Sequence, residues 1–269
     1  MNQKGGVGKT TTTVNVGAAL ARAGRRVGFI DLDPQAHLSI NFGLEPDSEK
    51  PSLYDVLVSN LPIEQAMQDV GENLRVVPSD PDLAGAEREM YAVLGRELVL
   101  RKSLAAAKLP VDYLLLDCPP SLNLLTINAL AAADDVIIPM QPHFLALQGM
   151  AKLLETVQLV QQRMNPSLVV GGIVLTMFDT QAKLSHEIIH ELETFLASSR
   201  GRGQPWSNAC VFATRVRRNI KLAECPSFGR PIFDYDPASN GAADYTALAG
   251  EIIARYEPGA GAQVKAGVA

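Results

Sequence analysis

The sequence predicts a doubly wound α/β fold, a mostly parallel β-sheet with helices on both faces. Three observations carry that prediction. "YLLLD" (113–117), "DVIIP" (135–139) and "LVVGGIVLTMF" (168–178) are unbroken apolar runs without polar alternation, as strands covered on both faces require. Stretches of helical length and amphipathic pattern alternate with them. A glycine-rich turn, "KGGVGKTT" (4–11), stands directly before the first such stretch, where sheets of this class bring backbone amides to an anion.

Taken in order, Thr11 to Ala23 reads as a helix closed by Gly24 as a left-handed cap. "RVGFID" (26–31) and "NLRVVPS" (73–79) are short buried strands. A helix is expected from Ala86 to Lys108, ended by Pro110. Further helices fit at 122–133, 144–164 and 182–198, a strand near 209–214, and a last helix from about Gly241 to Tyr256. No linker, composition shift or repeat interrupts the pattern, so residues 1–256 read as one domain. "SSRGRGQP" (198–205) reads as an exposed loop. Residues 257–269, Gly/Ala-rich and without an apolar stripe, are expected to form a disordered tail.

Composition bounds the function classes. Apolar residues make up 47% and charged residues 20% of 269, an ordinary globular balance. No apolar run reaches the ~18 residues needed to span a bilayer, and the start lacks the pattern of a secretory signal. Cys118, Cys210 and Cys225 are odd in number and form no CxxC pair, which disfavours a disulfide framework or a zinc or iron–sulfur site. The expectation is a reduced, cytoplasmic protein. A net charge of −5 argues against a protein coated in positive charge but leaves room for a local basic patch.

In the loop, Gly5, Gly6 and Gly8 stand where the backbone must turn sharply and approach an anion. Their amides, with those of Val7 and of the following helix start at Thr10 and Thr11, then face phosphate. Lys9 would reach β- and γ-phosphates, and the Thr10 hydroxyl would ligate Mg²⁺. A GGxGK[ST] run arises by chance in on the order of one in a thousand chains of this length. The reading is a P-loop NTPase with ATP and Mg²⁺ as cofactors. Lys4 is a second cation at the loop's mouth. It is either solvated or reaches phosphate, its own or that of a partner subunit docked face to face.

"NQKGGVGKTT" resembles the deviant Walker A sequence of the ParA/Soj ATPases, which move plasmids and chromosomes apart. The related MinD ATPases usually carry glycine at the position of Gln3, so the opening favours the ParA branch. "IDLDPQ" (30–35), "YLLLDCPPSLNLLTINAL" (113–130), "LTMFD" (175–179) and "NIKLAECPSFGRPIFDYDPASNGAADY" (219–245) extend the resemblance over nearly the whole chain. In that family roughly eight residues forming a central strand precede the loop, and only Met1, Asn2 and Gln3 precede Lys4 here. The N-terminal strand is therefore expected to be missing, through a start assigned too far downstream or a fragment. Each backbone group it leaves unpaired in the core would cost ~1–3 kcal/mol.

Asp31 and Asp33 close the "RVGFID" strand two residues apart, so their side chains point to opposite sides unless the backbone breaks, which Pro34 encourages. A carboxylate there serves equally as a turn former; beside a phosphate loop function is favoured. The resemblance implies that Asp33 orients or activates the attacking water and that Asp31 helps organise the magnesium shell. Asp117, after four apolar residues, fits a Walker B carboxylate that meets Mg²⁺ through water. Cys118 reads as a core residue. Thr176 and Asp179 end a strand where adenine contacts lie in this fold, and "MQPHFLALQG" (140–149) corresponds to a family switch segment.

"RVRRNIKLAECPSFGR" (215–230) holds Arg215, Arg217, Arg218, Lys221 and Arg230 against the single acid Glu224. Most charge runs are solvated surface. The resemblance implies non-specific DNA binding by Arg215, Arg217, Arg218 and Lys221 in the ATP-bound dimer, weakening steeply with salt. Departures are Arg217–Arg218 where proline and arginine are frequent, Lys221 for arginine, and Gln181 with Lys183 after "TMFD". Lysine keeps the charge and loses the planar fork, so the DNA surface is expected to shift.

The resemblance implies a slow, partner-stimulated ATPase: a homodimer with ATP, each Lys4 reaching the other subunit's nucleotide, with Lys4, Lys9 and Asp33 as the catalytic set. It binds DNA as that dimer, meets a ParB-like centromere-binding protein, and localises to the nucleoid. The alternatives are a MinD-like or orphan positioning ATPase on a membrane or other cargo, and a non-hydrolysing scaffold. The tail offers no amphipathic helix for the membrane version, and Lys9, Thr10, Asp33 and Asp117 speak against the scaffold.

Overall fold

The computed structural model describes residues 6–47, 49–179 and 183–257. β1 (Val27–Asp31) lies at the heart of a four-stranded sheet, parallel to β3 (Leu74–Val77) on one side and to β4 (Tyr113–Asp117) on the other. The β1–β4 register runs from Val27 opposite Tyr113 to Asp31 opposite Asp117. β2 (Gln68–Gly71) adds an antiparallel outer strand beside β3. A second sheet orders β5 (Asp135–Met140), β6 (Val169–Phe178) and β7 (Cys210–Arg217), all parallel. Every residue of β1 and β5 is buried, which is why neither sequence alternates.

Helices cover both faces. α1 (Lys9–Arg22) packs on β1 and β4 and against α12 (Asn240–Tyr256). Gly17 lets it do so, because a Cβ there would overlap the Phe29 ring. Val14, Leu20, Phe29, Leu115, Ile137, Val174, Tyr245 and Leu248 share one apolar cluster on this face, so it runs under both sheets. On the other face α7 (Leu124–Ala132), α8 (Phe144–Arg163) and α9 (Lys183–Ser199) contribute to a second cluster containing Ile30, Leu116, Ile138 and Ile173.

Among the described residues β4 and β5 each pair along one edge only, β4 with β1 and β5 with β6. The end of α12 ties these two strands together. Tyr256 Oη donates to Asp135 at 2.5 Å, and the adjacent Glu257 accepts from Tyr113 Oη at 3.0 Å and from Arg25 at 2.8 Å. Two consecutive residues thus hold the first residues of β4 and β5.

The long strands and helices stand where the sequence places them, with two differences. The stretch expected as one helix from Ala86 to Lys108 is broken into α5 (Leu83–Glu89), two 3-10 turns (Met90–Ala92 and Arg96–Leu98) and α6 (Val99–Ala106). Gly95 takes φ 70°, a left-handed conformation that ends helix, and Asn128 captures the Arg96 carbonyl at 2.8 Å. Met90 is buried while Leu94 is exposed, so no single apolar stripe runs through the segment. The second difference is a set of short elements: α2 (His37–Asn41), α3 (Leu53–Val58), α4 (Ile63–Ala66), β2, α10 (Ile220–Phe228) and α11 (Ile232–Tyr235). Most span too few residues for a hydrophobic period to register. No described helix is long and apolar enough to cross a membrane.

Candidate nucleotide site

The loop before α1 is a left-handed turn at its glycines. Gly6 has φ 75° and Gly8 φ 80°, values an L side chain rarely adopts. Gly8 directly precedes α1, whose first turn runs from Lys9, and the helix N-terminus offers its free amides there. The far side of the loop is fastened by Thr176 Oγ1, at the end of β6, donating to the Val7 carbonyl at 2.8 Å. The loop is therefore fastened to β6 of the second sheet. Lys4 and Gly5 lie outside the described residues.

Below the loop charges converge. Lys9 is buried, and desolvation lowers its pKa against the opposing pull of Asp117 and Asp33. Asp117, wholly buried at the end of β4, accepts from Thr10 Oγ1 at 2.6 Å and from Thr13 Oγ1 at 3.0 Å. Burial raises its pKa; the two hydroxyls and Lys9 oppose the rise. Asp31 stands opposite Asp117 across the ladder. Burial and the Asp117 charge push Asp31 up to about 7, opposed by hydrogen bonds from Ser39 and the Asp33 amide. Those bonds occupy three of the roughly four acceptor positions of its carboxylate. β1 ends at Asp31, so the backbone break suggested by Pro34 is present and Asp33 sits in a turn, its Oδ1 accepting from the Gln35 amide at 3.0 Å. Burial pushes the Cys118 thiol up to about 12, so it behaves as a core residue.

Beside the loop opens a cleft of about 500 Å³ lined by Gly8, Thr11, Thr176, Met177, Asp179 and Tyr245 among others. Met177 takes φ 49°, a left-handed conformation uncommon outside glycine, where the β6–β7 register shifts. Thr176 is buried and Asp179 exposed on this wall.

The basic residues do not form one array. Arg215 folds back onto the carbonyls of Phe212 and Ala213, and desolvation lowers its pKa. Arg217 is clamped by Asp244, with Nη2 2.6 Å from Oδ1 and its amide also donating to the carboxylate. Arg217 and Arg218 line the cleft. Lys221 meets Glu224 at 3.0 Å and lies 5.7 Å from the Tyr235 ring centre. Residues that sequence reasoning passed over are Thr13, Ser39 and Tyr245, whose hydroxyl is 3.2 Å from that of Thr12. The run of four threonines after Lys9 was a usable signal for Thr13; Ser39 and Tyr245 are revealed only by contact.

A glycine-turned loop feeding a helix, with a strand-end carboxylate on the threonine after its lysine, defines the P-loop ATPase class. A family model described as an AAA domain matches residues 1–170. The chromosome partitioning protein ParA of Myxococcus xanthus (strain DK1622) is 43% identical over 258 residues, covering 96% of this chain and 87% of that protein. The sporulation initiation inhibitor protein Soj of Bacillus subtilis (strain 168) is 43% identical over 254 residues, covering 94% and 96%. The chain belongs to the ParA/Soj family of P-loop ATPases. Among solved structures, cobyrinic acid a,c-diamide synthase from Mycobacterium smegmatis with bound ADP and magnesium superposes with a TM-score of 0.79 at 33% identity, covering 98% of this chain and 95% of that one. MinD from Pyrococcus horikoshii complexed with Mg-ADP shares the fold, with a TM-score of 0.72 at 24% identity and coverage of 94% and 93%.

Proposed function

We propose that this chain is a ParA-type partitioning ATPase that dimerises on ATP, binds DNA without sequence preference in that state, and lets go on hydrolysis. One observation carries the reading: beneath the Gly6–Gly8 turn Thr10 donates to the buried Asp117, and the buried Lys9 feels the charges of both Asp117 and Asp33.

The loop amides and the start of α1 hold the phosphates, and Lys9 neutralises charge at the β- and γ-positions. One hydroxyl and one buried carboxylate, already joined at 2.6 Å, fit the small ligand set that Mg²⁺ takes from protein when phosphates complete it. Thr10 would ligate the ion and Asp117 would meet it through water, with Asp31 organising the surrounding shell. Bound Mg²⁺ supplies charge compensation for the transferring phosphoryl group. Asp33 orients the attacking water from its turn. The cleft beside Thr176 and Asp179 takes the adenine. Lys4 reaches the partner's nucleotide in the ATP dimer. Positioning and electrostatics do the chemistry.

On this reading Arg215, Arg217, Arg218 and Lys221 contribute the DNA surface, a ParB-like protein stimulates turnover, and the protein works in the cytoplasm on the nucleoid. Residues 1–256 act as one domain. The test is sedimentation and phosphate release with ATP and Mg²⁺. Wild type is expected to dimerise and release phosphate, while Asp33→Ala dimerises with release reduced at least about a hundredfold. A wild type that stays monomeric in saturating ATP and Mg²⁺ overturns the proposal.

A further inference from the structure

Behind the site, one serine has a place that no sequence motif marks. Asp31 is completely buried and faces the equally buried Asp117 across the ladder, so its charge depends on donors. It accepts three hydrogen bonds: from the Asp33 amide at 3.1 Å, the Ser39 amide at 2.9 Å and the Ser39 hydroxyl at 2.8 Å. Among the described residues Ser39 is the one side chain that donates to it. Ser39 is itself completely buried, on α2.

The charge state of Asp31 sets the direction of that hydroxyl proton. Ser39 Oγ accepts from the Ser79 amide, just after β3, at 3.1 Å. When Asp31 is ionised its carboxylate only accepts, and the single O–H of Ser39 then points at it. The other oxygen of Asp31 holds the Asp33 amide at the start of a tight turn. That turn is closed by the Ala36 amide on the Asp33 carbonyl at 2.8 Å and passes through Ala36 at φ 52°. A left-handed alanine is disfavoured and persists when its surroundings over-determine it.

We propose that Ser39 is a positioning residue for hydrolysis: through Asp31 it fixes the turn that presents the Asp33 carboxylate to the attacking water. Ser39 acts through its acceptor: it holds the Asp31 carboxylate, whose other oxygen takes the Asp33 amide. The assignment rests on the reading of Asp33 given above. A displacement of ~1 Å in such a group costs up to about a hundredfold in rate while leaving ground-state binding nearly intact. From α2, Ser39 also joins the end of β1 to the chain just after β3, so it belongs to the scaffold behind the site.

The experiment compares wild type, Ser39→Ala, Ser39→Thr, Asp31→Asn and the Ser39→Ala/Asp31→Asn double variant in the full chain. Phosphate release gives kcat, and a fluorescent ATP analogue gives Kd independently of turnover. Ser39→Ala is expected to lower kcat by about tenfold or more with the analogue's Kd within about threefold of wild type. Ser39→Thr, which keeps the hydroxyl, restores kcat to within about threefold. In the Asp31→Asn background, adding Ser39→Ala changes kcat less than about twofold, because its target has already lost the charge. An unchanged kcat in Ser39→Ala, or an undiminished loss in the Asp31→Asn background, overturns the proposal. Should Ser39→Ala fail to fold, Ser39→Cys, with a weaker donor of similar size, takes its place: a lowered kcat with unchanged analogue Kd is expected, and an unchanged kcat overturns the proposal. A wild type that binds the analogue and releases no phosphate defeats the ATPase reading itself, and this assignment with it.

Discussion

The loop-and-carboxylate end of α1 and the basic segment from Arg215 to Arg230 both concentrate charge, and they use it in opposite ways. At the first, Lys9, Asp31 and Asp117 are buried, and their charges act on one another in a medium that screens poorly. At the second, the cations are half-buried or exposed and two of them are matched one to one, Arg217 by Asp244 and Lys221 by Glu224. Buried charge must be placed by the fold, because an unmet charge there costs several kcal/mol. Surface charge is screened and can change partners at little cost. The nucleotide site is therefore a fixed constellation, while the basic segment is a set of ion pairs that a polyanion would have to compete for.

The sharpest way to break that contrast is Lys9→Ala. Removing the buried cation leaves Asp117 and Asp33 without their opposing charge and, on the function proposed above, takes away a phosphate contact. Phosphate release is expected to fall about a thousandfold, or ~4 kcal/mol in the barrier. A loss under tenfold would mean that this charge is no more committed than those of the basic segment.

A second prediction asks whether burial alone makes a carboxylate costly away from the site. Asp135, at the foot of β5, is pushed up from 3.8 to about 6 by burial, against the Tyr256 hydrogen bond. A carboxyl raised in this way binds its proton more tightly folded than unfolded. Stability is thus highest while Asp135 is protonated and declines as pH rises from about 4 through about 6, by up to ~3 kcal/mol at neutral pH. Denaturant unfolding of wild type and Asp135→Asn across that window checks it. The wild-type minus variant difference should decline with rising pH, and a pH-independent difference removes the burial argument.

The smallest effect belongs to the surface. Asp244→Asn releases Arg217 from its clamp, and affinity for plasmid DNA in the presence of ATP should rise by about two- to threefold, with a steeper salt dependence. Changing Arg217, Arg218 and Lys221 together to alanine should lower affinity and make the salt dependence shallower. If neither change moves affinity or salt slope, this segment is solvated surface and the DNA contacts lie elsewhere.

The parts of this protein readable in advance are those whose cause lies in a few neighbouring residues. Gly6 and Gly8 are needed wherever the backbone takes φ near 80°, and the Lys9–Thr10 pair after them is chemistry written at a fixed spacing. The apolar runs ending in Asp31 and Asp117 disclose buried strands, since only two covered faces remove polar alternation. Local spacing could not reveal what long-range contact supplies. The break at Gly95 depends on Asn128 capturing the Arg96 carbonyl from another helix. Asp244 lies 27 positions from the Arg217 it clamps, and Ser39 lies eight residues past the Asp31 it serves.

Sequence by itself determined the class of fold, the phosphate loop and the carboxylates at the strand ends, because each follows from periodicity or from a backbone conformation that few residues tolerate. Tertiary structure alone decided which of those charges meet, in what protonation balance, and which basic side chains are already engaged. A pattern along the chain records which atoms are present. The energy of a charge depends on depth from water and on partners brought in from distant segments, and only folding sets those.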